Sequence, residues 1–347
     1  MIVYWILFLI PFLGLLFSFR LGRSANLILW CLAWVIFVLV IGCRQEVGGD
    51  WFTYLDHLES RGGRDLWEVL ISGDQGYYLI NYIVNHLGGG IVWVNLICAM
   101  IVMTGVVRFS LDQPKAWLCL VVAVPYLIIV VSMGYTRQSA ALGFLFLGLA
   151  SLSRGKSINF FFWVLLGATF HKSVVLMLPV AALSASKHRA WNFFWVGVIS
   201  LLAAYFFVLD SVDKLWANYV TAEYESQGGL VRVLMNSVPA LIFLFVGRRI
   251  VSTEQDFKLW RWISIFSLAC IPLVVVSSTA TDRVALYLIP LQLYVFSRLY
   301  TVSSDGYSRA LIVIGTVFYY ALVQLVWLNF AANADAWLPY QMYPFAS

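Results

Sequence analysis

The sequence predicts an all-α, polytopic integral membrane protein, and three observations lead to that fold class. First, 62% of the 347 residues are hydrophobic and only 11% are charged, whereas a soluble domain carries about 25% charged and about 45–50% apolar residues. Second, apolar runs almost free of charge recur along the whole chain. Third, lysine and arginine gather in alternate connections between these runs. These observations exclude a water-soluble protein, a disordered chain and a secreted disulfide scaffold, and they predict one membrane-embedded domain over residues 1–347.

The apolar runs predict about twelve transmembrane helices, because a full crossing needs about 20 residues of helix. The runs lie at residues 2–19, 25–42, 91–107, 116–133, 138–153, 157–170, 173–186, 190–209, 231–247, 262–278, 284–299 and 310–331. The first run is interpreted as a transmembrane helix and not as a signal peptide, since Arg20 and Arg23 follow it.

Two stretches depart from this regular pattern. The runs within residues 157–186 are too short to span, and basic residues flank the pair on both sides. We therefore expect a broken, re-entrant pair of short helices that meet at His171-Lys172, in a hollow where irregular backbone is tolerated. The alternative is one long tilted helix through the same residues. Residues 77–87, which precede a triple glycine, are expected to form an interfacial helix.

The distribution of charge predicts which connections face outward. Most of the 22 lysines and arginines fall in short turns that the positive-inside rule assigns to the cytoplasm. The longest connections on the other side are an outer loop at residues 43–76, a second at 209–230 and the outer tail 332–347. Function tends to reside on loops held by a rigid scaffold, so these outer segments are the first candidates for a site.

Several classes of partner are not expected. The net charge of +5 is spread over single and paired basic residues without a basic face, so nucleic acid is not predicted as a partner. The five cysteines form no Cys-x-x-Cys pair and lie mostly in apolar runs, which indicates neither a disulfide framework nor a zinc site. We expect no metal and no other cofactor.

Four arginines occur at separate helix ends on the predicted outer side: Arg44, Arg137, Arg232 and Arg283. A charge beside hydrocarbon is costly and persists where it meets a partner, a cavity or a ligand. Because the arginine fork makes two parallel hydrogen bonds to an anion, such a group could hold a lipid-linked sugar diphosphate. The alternatives are that these side chains reach to lipid phosphates, that Asp282-Arg283 pairs with other loop charges, and that His171 is a hydrogen-bonded turn residue.

Six short segments follow one another along the chain: Arg44 with Gly48-Gly49-Asp50 and Tyr54, Gly76-Tyr77-Tyr78-Leu79-Ile80-Asn81, Arg137-Gln138-Ser139-Ala140, His171-Lys172-Ser173, Asp282-Arg283 and Leu338-Pro339-Tyr340. Taken in this order, they resemble the EpsG family of bacterial polysaccharide polymerases of the Wzy type. The resemblance covers the chain from about residue 44 to its C-terminus. The family pattern has a glutamate directly before the Gly-Tyr pair, whereas this chain has Asp74-Gln75 there.

The resemblance implies a polymerase that joins oligosaccharide units carried on undecaprenyl diphosphate, at the outer face of the bacterial inner membrane, and releases undecaprenyl diphosphate. The lipid-linked oligosaccharide and the bilayer are then the expected partners, with a chain-length regulator as a further one. The reaction is similar in logic to that of the metal-independent O-antigen ligases.

Roles for individual residues follow from this chemistry. For the leaving diphosphate we expect Arg137 and Arg283, with Arg44 and Lys172 as further cations. For removal of the acceptor proton we expect His171, with Asp50 as the rival base. The sugar-binding candidates are Asp74, Tyr77, Tyr135, Asp282 and Tyr340, since aromatic rings stack on sugars and carboxylates accept hydrogen bonds from sugar hydroxyl groups.

Two other activities would use similar residues. A transporter or flippase of lipid-linked oligosaccharide also needs cations, aromatics and a broken helix, but the chain has no convincing internal repeat and its polar residues lie mostly on one side. A membrane acyltransferase would use a histidine as well, with functional charges expected on the cytoplasmic side. A purely structural role would not explain why these charges lie beside hydrocarbon.

Overall fold

A computed structural model describes residues 1–62, 65–71, 73–184 and 229–345, together with residues 194, 197 and 198. Within these residues the regular structure is helical, apart from one isolated antiparallel bridge between Arg44 and Met342. The predicted all-α class is thereby confirmed. The apolar run 190–209 and the outer loop 209–230 lie largely outside the described residues.

The described helices are numbered here in chain order. They are α1 (Ile2–Phe17), α2 (Arg23–Gly42), α3 (Trp51–Gly62), α4 (Leu66–Ile71), α5 (Gln75–His86), α6 (Ile91–Leu111), α7 (Ala116–Gly134), α8 (Thr136–Leu152), α9 (Ser157–Ala168), α10 (Leu178–Ser184), α11 (Gly229–Ile250), α12 (Glu254–Val276), α13 (Ser278–Leu286), α14 (Pro290–Arg298) and α15 (Gly306–Phe330). Short 3₁₀ turns occupy Ser18–Arg20, Lys172–Met177, Leu299–Val302 and Ala334–Trp337.

Six of the described helices are long and apolar enough to cross a membrane, namely α2, α6, α7, α11, α12 and α15. The sequence predicts about twelve crossings, and the other apolar runs that the structure describes form shorter or interrupted helices. The predicted run 284–299 is one such case, because the helix stops at Leu286 and restarts at Pro290. Proline has no N–H to continue the ladder and is well suited to a first helical position.

The predicted outer loop 43–76 is largely helical, since it contains α3, α4 and the start of α5. In α3 the buried residues are Trp51, Tyr54 and Leu58, which share one face at a helical spacing of three and four. The exposed face carries Asp56 and Glu59. The helix predicted at 77–87 is present as α5.

The chain divides into two compact units, and each is described by itself. The first comprises Met1–Leu147, Thr169–His171 and Ile314–Ser347, and the second comprises Gly148–Ala168 and Lys172–Val313.

Helix α7 forms the centre of the first unit, and nearly all of its residues are buried. A helix that is apolar on all sides is typical of such a position. Its middle, Val124–Val131, is wound as a π-helix, beginning where Pro125 cannot donate a helical hydrogen bond. The Ser132 hydroxyl bonds to the carbonyl of Leu127 at 2.8 Å and satisfies one of the displaced carbonyls.

Small residues let the helices of the first unit approach closely. A Cβ on Gly105 of α6 would lie 2.1 Å from the carbonyl oxygen of Gly143 in α8. A Cβ on Gly14 of α1 would lie 2.4 Å from the ring of Trp117 in α7. The same indole stacks on Trp30 of α2 with ring centroids 4.1 Å apart.

The second unit contains the α11–α12 hairpin. Thr253 caps α12, because its hydroxyl accepts a hydrogen bond from the Asp256 N–H at 3.1 Å. Arg248 and Arg249 lie in the last turn of α11, and Glu254 and Asp256 in the first turn of α12. Each charge has the sign that its helix terminus favours.

The predicted break within 157–186 is present. Helix α9 ends at Ala168, a 3₁₀ turn begins at Lys172, and α10 follows from Leu178. Helix α10 contacts α9, as expected of a chain that turns back on itself. The alternative of one continuous tilted helix is wrong, because the helical ladder is interrupted around His171.

Candidate functional site

Several segments predicted to lie outside the membrane meet at one end of the first unit. They are the start of α1, the end of α2, the start of α6, the end of α7, the start of α8 and the C-terminal tail. We call this the arginine end, because Arg44 and Arg137 both lie there.

Arg44 follows the last turn of α2 and is fully buried. Its guanidinium donates to the carbonyls of Ile41 at 2.6 Å and Val47 at 3.2 Å. Its Nη2 also donates to Asn95 Oδ1 in α6 at 3.2 Å and to Thr136 Oγ1 in α8 at 2.7 Å. One side chain therefore connects the ends of three helices.

Neighbouring groups of the protein stabilise the positive charge of Arg44. Burial lowers the pKa of its guanidinium to about 10, so the group is still a cation near neutral pH. It lies beside the carbonyl end of α2, which favours positive charge, and 5.8 Å from the ring centroid of Trp51. Since these bonds occupy most of its donors, this position favours a structural role over the predicted binding of diphosphate.

The C-terminal residues 334–343, here called the tail strap, close over Arg44. The N–H of Gln45 donates to the Gln341 carbonyl at 3.0 Å, and the N–H of Tyr343 donates to the Cys43 carbonyl at 2.8 Å. The Tyr340 hydroxyl donates to the Val40 carbonyl at 2.7 Å. This bond turns the hydroxyl of a predicted sugar-binding residue toward the protein.

Trp337 anchors the tail strap. Its indole N–H donates to the Ile129 carbonyl in the π-helix at 3.0 Å, and its own carbonyl accepts from the Tyr4 hydroxyl at 2.6 Å. A Cβ on Gly134 would lie 2.5 Å from the indole ring.

Gly48 has φ +108°, and a Cβ there would lie 2.1 Å from the Met133 carbonyl oxygen. Only glycine fits at such a position.

Arg137 is in the first turn of α8, one residue after Thr136. Its Nη1 donates to Asp74 Oδ2 at 2.7 Å, and 25% of its side chain is exposed. The charge of Arg137 also acts on the Tyr54 phenol. Its Nε is buried and has no acceptor among the described residues. With five N–H donors in the guanidinium, Arg137 retains capacity for another anion.

Aromatic rings surround this ion pair. The guanidinium carbon of Arg137 lies 5.9 Å from the ring centroid of Tyr54 and 6.0 Å from that of Tyr77. Tyr78 packs edge-on against Tyr77 at 5.9 Å, and His57 packs against Tyr78 at 5.7 Å. Burial raises the pKa of Tyr54 to about 12, so its phenol remains protonated at neutral pH. The predicted residue Tyr77 is fully buried in this cluster.

His171 belongs to the first unit and lies near the helix that carries Asp74. The N–H of Gly76, in the first turn of α5, donates to the Thr169 carbonyl at 2.8 Å. A Cβ on Gly76 would lie 2.4 Å from the Thr169 hydroxyl and 2.9 Å from the Phe170 ring. The absence of a side chain at Gly76 thus lets the segment that ends in His171 pack against α5. His171 itself is partly exposed.

Two further predicted residues lie at the arginine end. Asp50 directly precedes α3, and its carbonyl accepts from the Tyr54 N–H at 3.0 Å. Its charge also acts on the Tyr54 phenol. Tyr135 connects α7 to α8, and its carbonyl accepts from the Ser139 N–H at 2.9 Å. Both side chains are partly exposed.

The other predicted residues belong to the second unit. Asp282 in α13 accepts two hydrogen bonds from Arg232 in α11, through Nε and Nη2. The two side chains are 10% and 13% exposed. This bidentate pair joins α11 to α13 and commits the carboxylate that the sequence assigns to sugar binding. Arg283 and Lys172 are partly exposed.

A polar network accompanies that ion pair at the break between α13 and α14. Asn236, one turn after Arg232, donates to the Ala285 carbonyl at 2.7 Å. The Gln292 amide donates to Asn236 Oδ1 at 2.6 Å. The Ala285 carbonyl therefore accepts from the buried Asn236 amide as well as from the Leu288 N–H at 3.1 Å, beside the point where the helix breaks.

The sequence reasoning missed Tyr54 and His57 as parts of the site. Asp50, Tyr54 and His57 are spaced by four and three residues, which places them on one face of α3. That spacing was available in the sequence. It also missed the partner of Arg232, which depends on a contact between helices 50 residues apart.

Among the described residues, no group of three or more His, Cys, Asp and Glu side chains is arranged to hold a metal ion. The sequence model of the EpsG family matches residues 27–342. No curated protein and no solved structure matches the chain.

Proposed function

Because the chain belongs to the EpsG family, whose members are Wzy-like polymerases, we propose that it polymerises oligosaccharide units carried on undecaprenyl diphosphate. The reaction takes place at the outer face of the bacterial inner membrane and releases undecaprenyl diphosphate. The lipid-linked donor and acceptor both reach the protein through the bilayer.

The observation that carries this proposal is the state of Arg137. It is a cation held between a carboxylate and two tyrosine rings, partly open to the outside, with a buried Nε that has no acceptor among the described residues. Such a group is preorganised to donate hydrogen bonds to a phosphate oxygen. Arg44 and Arg232 differ, since each is already committed to protein acceptors.

The reaction forms a bond between an acceptor hydroxyl oxygen and the anomeric carbon of the donor. The bond from that carbon to the diphosphate oxygen breaks, and its electron pair leaves with the diphosphate. Arg137 stabilises the negative charge that develops on this leaving group. The proton of the acceptor hydroxyl passes to a base on the protein.

His171 is the proposed base, with Asp50 as the alternative. His171 ends the segment that packs against the first turn of α5, the helix that begins directly after Asp74. An imidazole suits proton transfer near neutral pH. Asp50 lies one helical turn from Tyr54, and the ring centroid of Tyr54 lies 5.9 Å from the guanidinium carbon of Arg137. Tyr135 is proposed to provide a ring for the sugars near the same ion pair. Tyr77 is fully buried and Asp74 is paired with Arg137, so neither is proposed as a direct sugar contact.

In the second unit, Arg283 and Lys172 remain the proposed further cations for the diphosphate. Asp282 is proposed to act through its pair with Arg232, which fixes the helix turn that carries Arg283. A chain-length regulator remains an expected partner through the family resemblance.

The test is complementation of a strain that lacks this gene, with its surface polysaccharide separated on a gel. We expect the wild-type chain to restore a ladder, and Arg137→Ala and His171→Ala to leave a single capped repeat unit at matched expression. Removal of an oxyanion-stabilising group typically costs about 10²–10³ in rate. Arg108→Ala is the matched control, because Arg108 also pairs with an aspartate, at 2.9 Å, but is more exposed.

The gel also separates the two activities that the sequence leaves open. A single capped unit means that export continues while polymerisation has stopped. Loss of even the single unit means that the lipid-linked sugar fails to reach the outer face, and the transporter would then replace the polymerase as the proposed function.

A further inference from the structure

The Asp74 carboxylate could pair with Arg137 or cap the start of α5, and in this structure it pairs with Arg137. Asp74 occupies the N-cap position of α5 but makes no side-chain capping bond. Its carboxylate instead accepts from Arg137 at 2.7 Å. Aspartate is among the preferred N-cap residues because its oxygen can accept from the second or third N–H of the helix.

The capping position is defined by the neighbouring hydrogen bonds. The second N–H of α5 belongs to Gly76 and donates to the Thr169 carbonyl. The third belongs to Tyr77, and it is the N–H that an Asp74 cap would use. Gly73, with φ +49°, directly precedes Asp74. Asp74 has φ −93° and ψ 81°, so a side-chain rotation together with a shift of ψ toward the extended region moves the carboxylate from Arg137 to the helix terminus, where negative charge is also favoured.

We infer that Asp74 is a resident counter-ion that the substrate diphosphate displaces from Arg137, and that the displaced carboxylate then caps α5. This inference rests on the proposed function, because it assumes that Arg137 receives the diphosphate. Before binding, the carboxylate neutralises a largely desolvated guanidinium. On binding, one anionic oxygen exchanges for another, so the pocket never holds an unpaired cation.

The inference gives Asp74 an effect opposite in sign to that of a positioning residue. A carboxylate that competes with the ligand weakens binding, so its removal strengthens binding. A carboxylate that only aims Arg137 supports binding, so its removal weakens binding. The same change also tests the capping step, because Asn and Ser can cap α5 whereas Ala cannot.

The experiment titrates farnesyl diphosphate, a soluble probe of the lipid diphosphate, into the purified full-length protein in detergent. We expect Asp74→Asn and Asp74→Ser to bind the probe roughly tenfold more tightly than the wild type, since a charge-assisted competitor is gone. Asp74→Ala should gain less, because its bound state lacks a cap. Asp112→Asn, which removes the partner of Arg108, should leave the affinity unchanged.

Hydrogen exchange of the wild-type protein provides a second measurement that needs no variant. Farnesyl diphosphate should slow exchange in the first turn of α5, where the Tyr77 N–H gains an acceptor. Unchanged exchange there, or Asp74 variants that bind equally or more weakly, would overturn the inference. Arg137→Gln separates this failure from that of the proposed function: if its affinity equals that of the wild type, Arg137 is not the diphosphate ligand.

Discussion

Arg44 and Arg137 lie at the same end of the same unit and have opposite surroundings. Arg44 is fully buried and donates to four acceptors on three segments. Arg137 is partly exposed, has one ion pair, and keeps a buried Nε without an acceptor among the described residues. The difference teaches that the number of protein acceptors, more than the residue type or its position at a helix end, separates an arginine that holds the fold from one that can hold a ligand.

The strongest test of this distinction is to measure the stability of the protein after removal of each side chain. Arg44→Ala should lower the free energy of unfolding by about 3–5 kcal/mol, because it leaves several buried acceptors without a donor. Arg137→Ala should lower it by less, about 1–3 kcal/mol, because it leaves one buried acceptor, the Asp74 carboxylate, without its donor. Thermal unfolding of both variants in detergent measures this, and equal losses would contradict the distinction.

Backbone strain beside Arg44 gives an intermediate effect. Gly48→Ala should destabilise the protein by about 1–3 kcal/mol, because alanine disfavours a positive φ and its Cβ would clash with the Met133 carbonyl. Gly49→Ala is the matched control, since its nearest atoms belong to Trp337 at 3.9 Å. Thermal unfolding of the two neighbours decides the point, and equal stability of the two variants would show that the loop adapts.

The smallest expected effect concerns the hydroxyl at Arg137. Tyr54→Phe keeps the ring beside the guanidinium and removes only the hydroxyl. We expect a loss of about 0.5–1.5 kcal/mol in stability and a shorter polysaccharide ladder instead of a missing one. A variant that polymerises no better than Arg137→Ala would give the hydroxyl a direct part in the reaction.

The sequence predicts most of this architecture because hydrophobicity and length are local properties. The apolar runs locate the helices, and the charges at 154–156 and 187–189 led to the correct break near His171. The interruption between Leu286 and Pro290 was missed, because the apolar run continues through it and only the proline marks it. Within 43–76 the charges from Asp56 to Asp65 indicated a solvated helix face, but the bounds of α3 and α4 were not predicted, since the glycines and charges there are also typical of a loop.

The candidate site was predictable only as a set of residues. That Arg44, Arg137 and Asp74 belong near one another followed from their predicted sidedness. That Asp74 pairs with Arg137, while Arg44 pairs with Thr136, depends on how α2, α5, α6 and α8 pack, and tertiary packing is not encoded in any local pattern. The same reason applies to Arg232 and Asp282.

The tail strap also constrains the order in which the protein can be completed. Tyr4 near the start of the chain bonds to Trp337, and Gln324 donates to the Tyr4 carbonyl at 3.1 Å. The first unit is therefore built from segments far apart in the chain, with the second unit synthesised between them. During that interval the contacts around Arg44 lack their last partner, so a nascent chain carries an unfinished arginine end. That end is completed only after residues 334–343 have been synthesised.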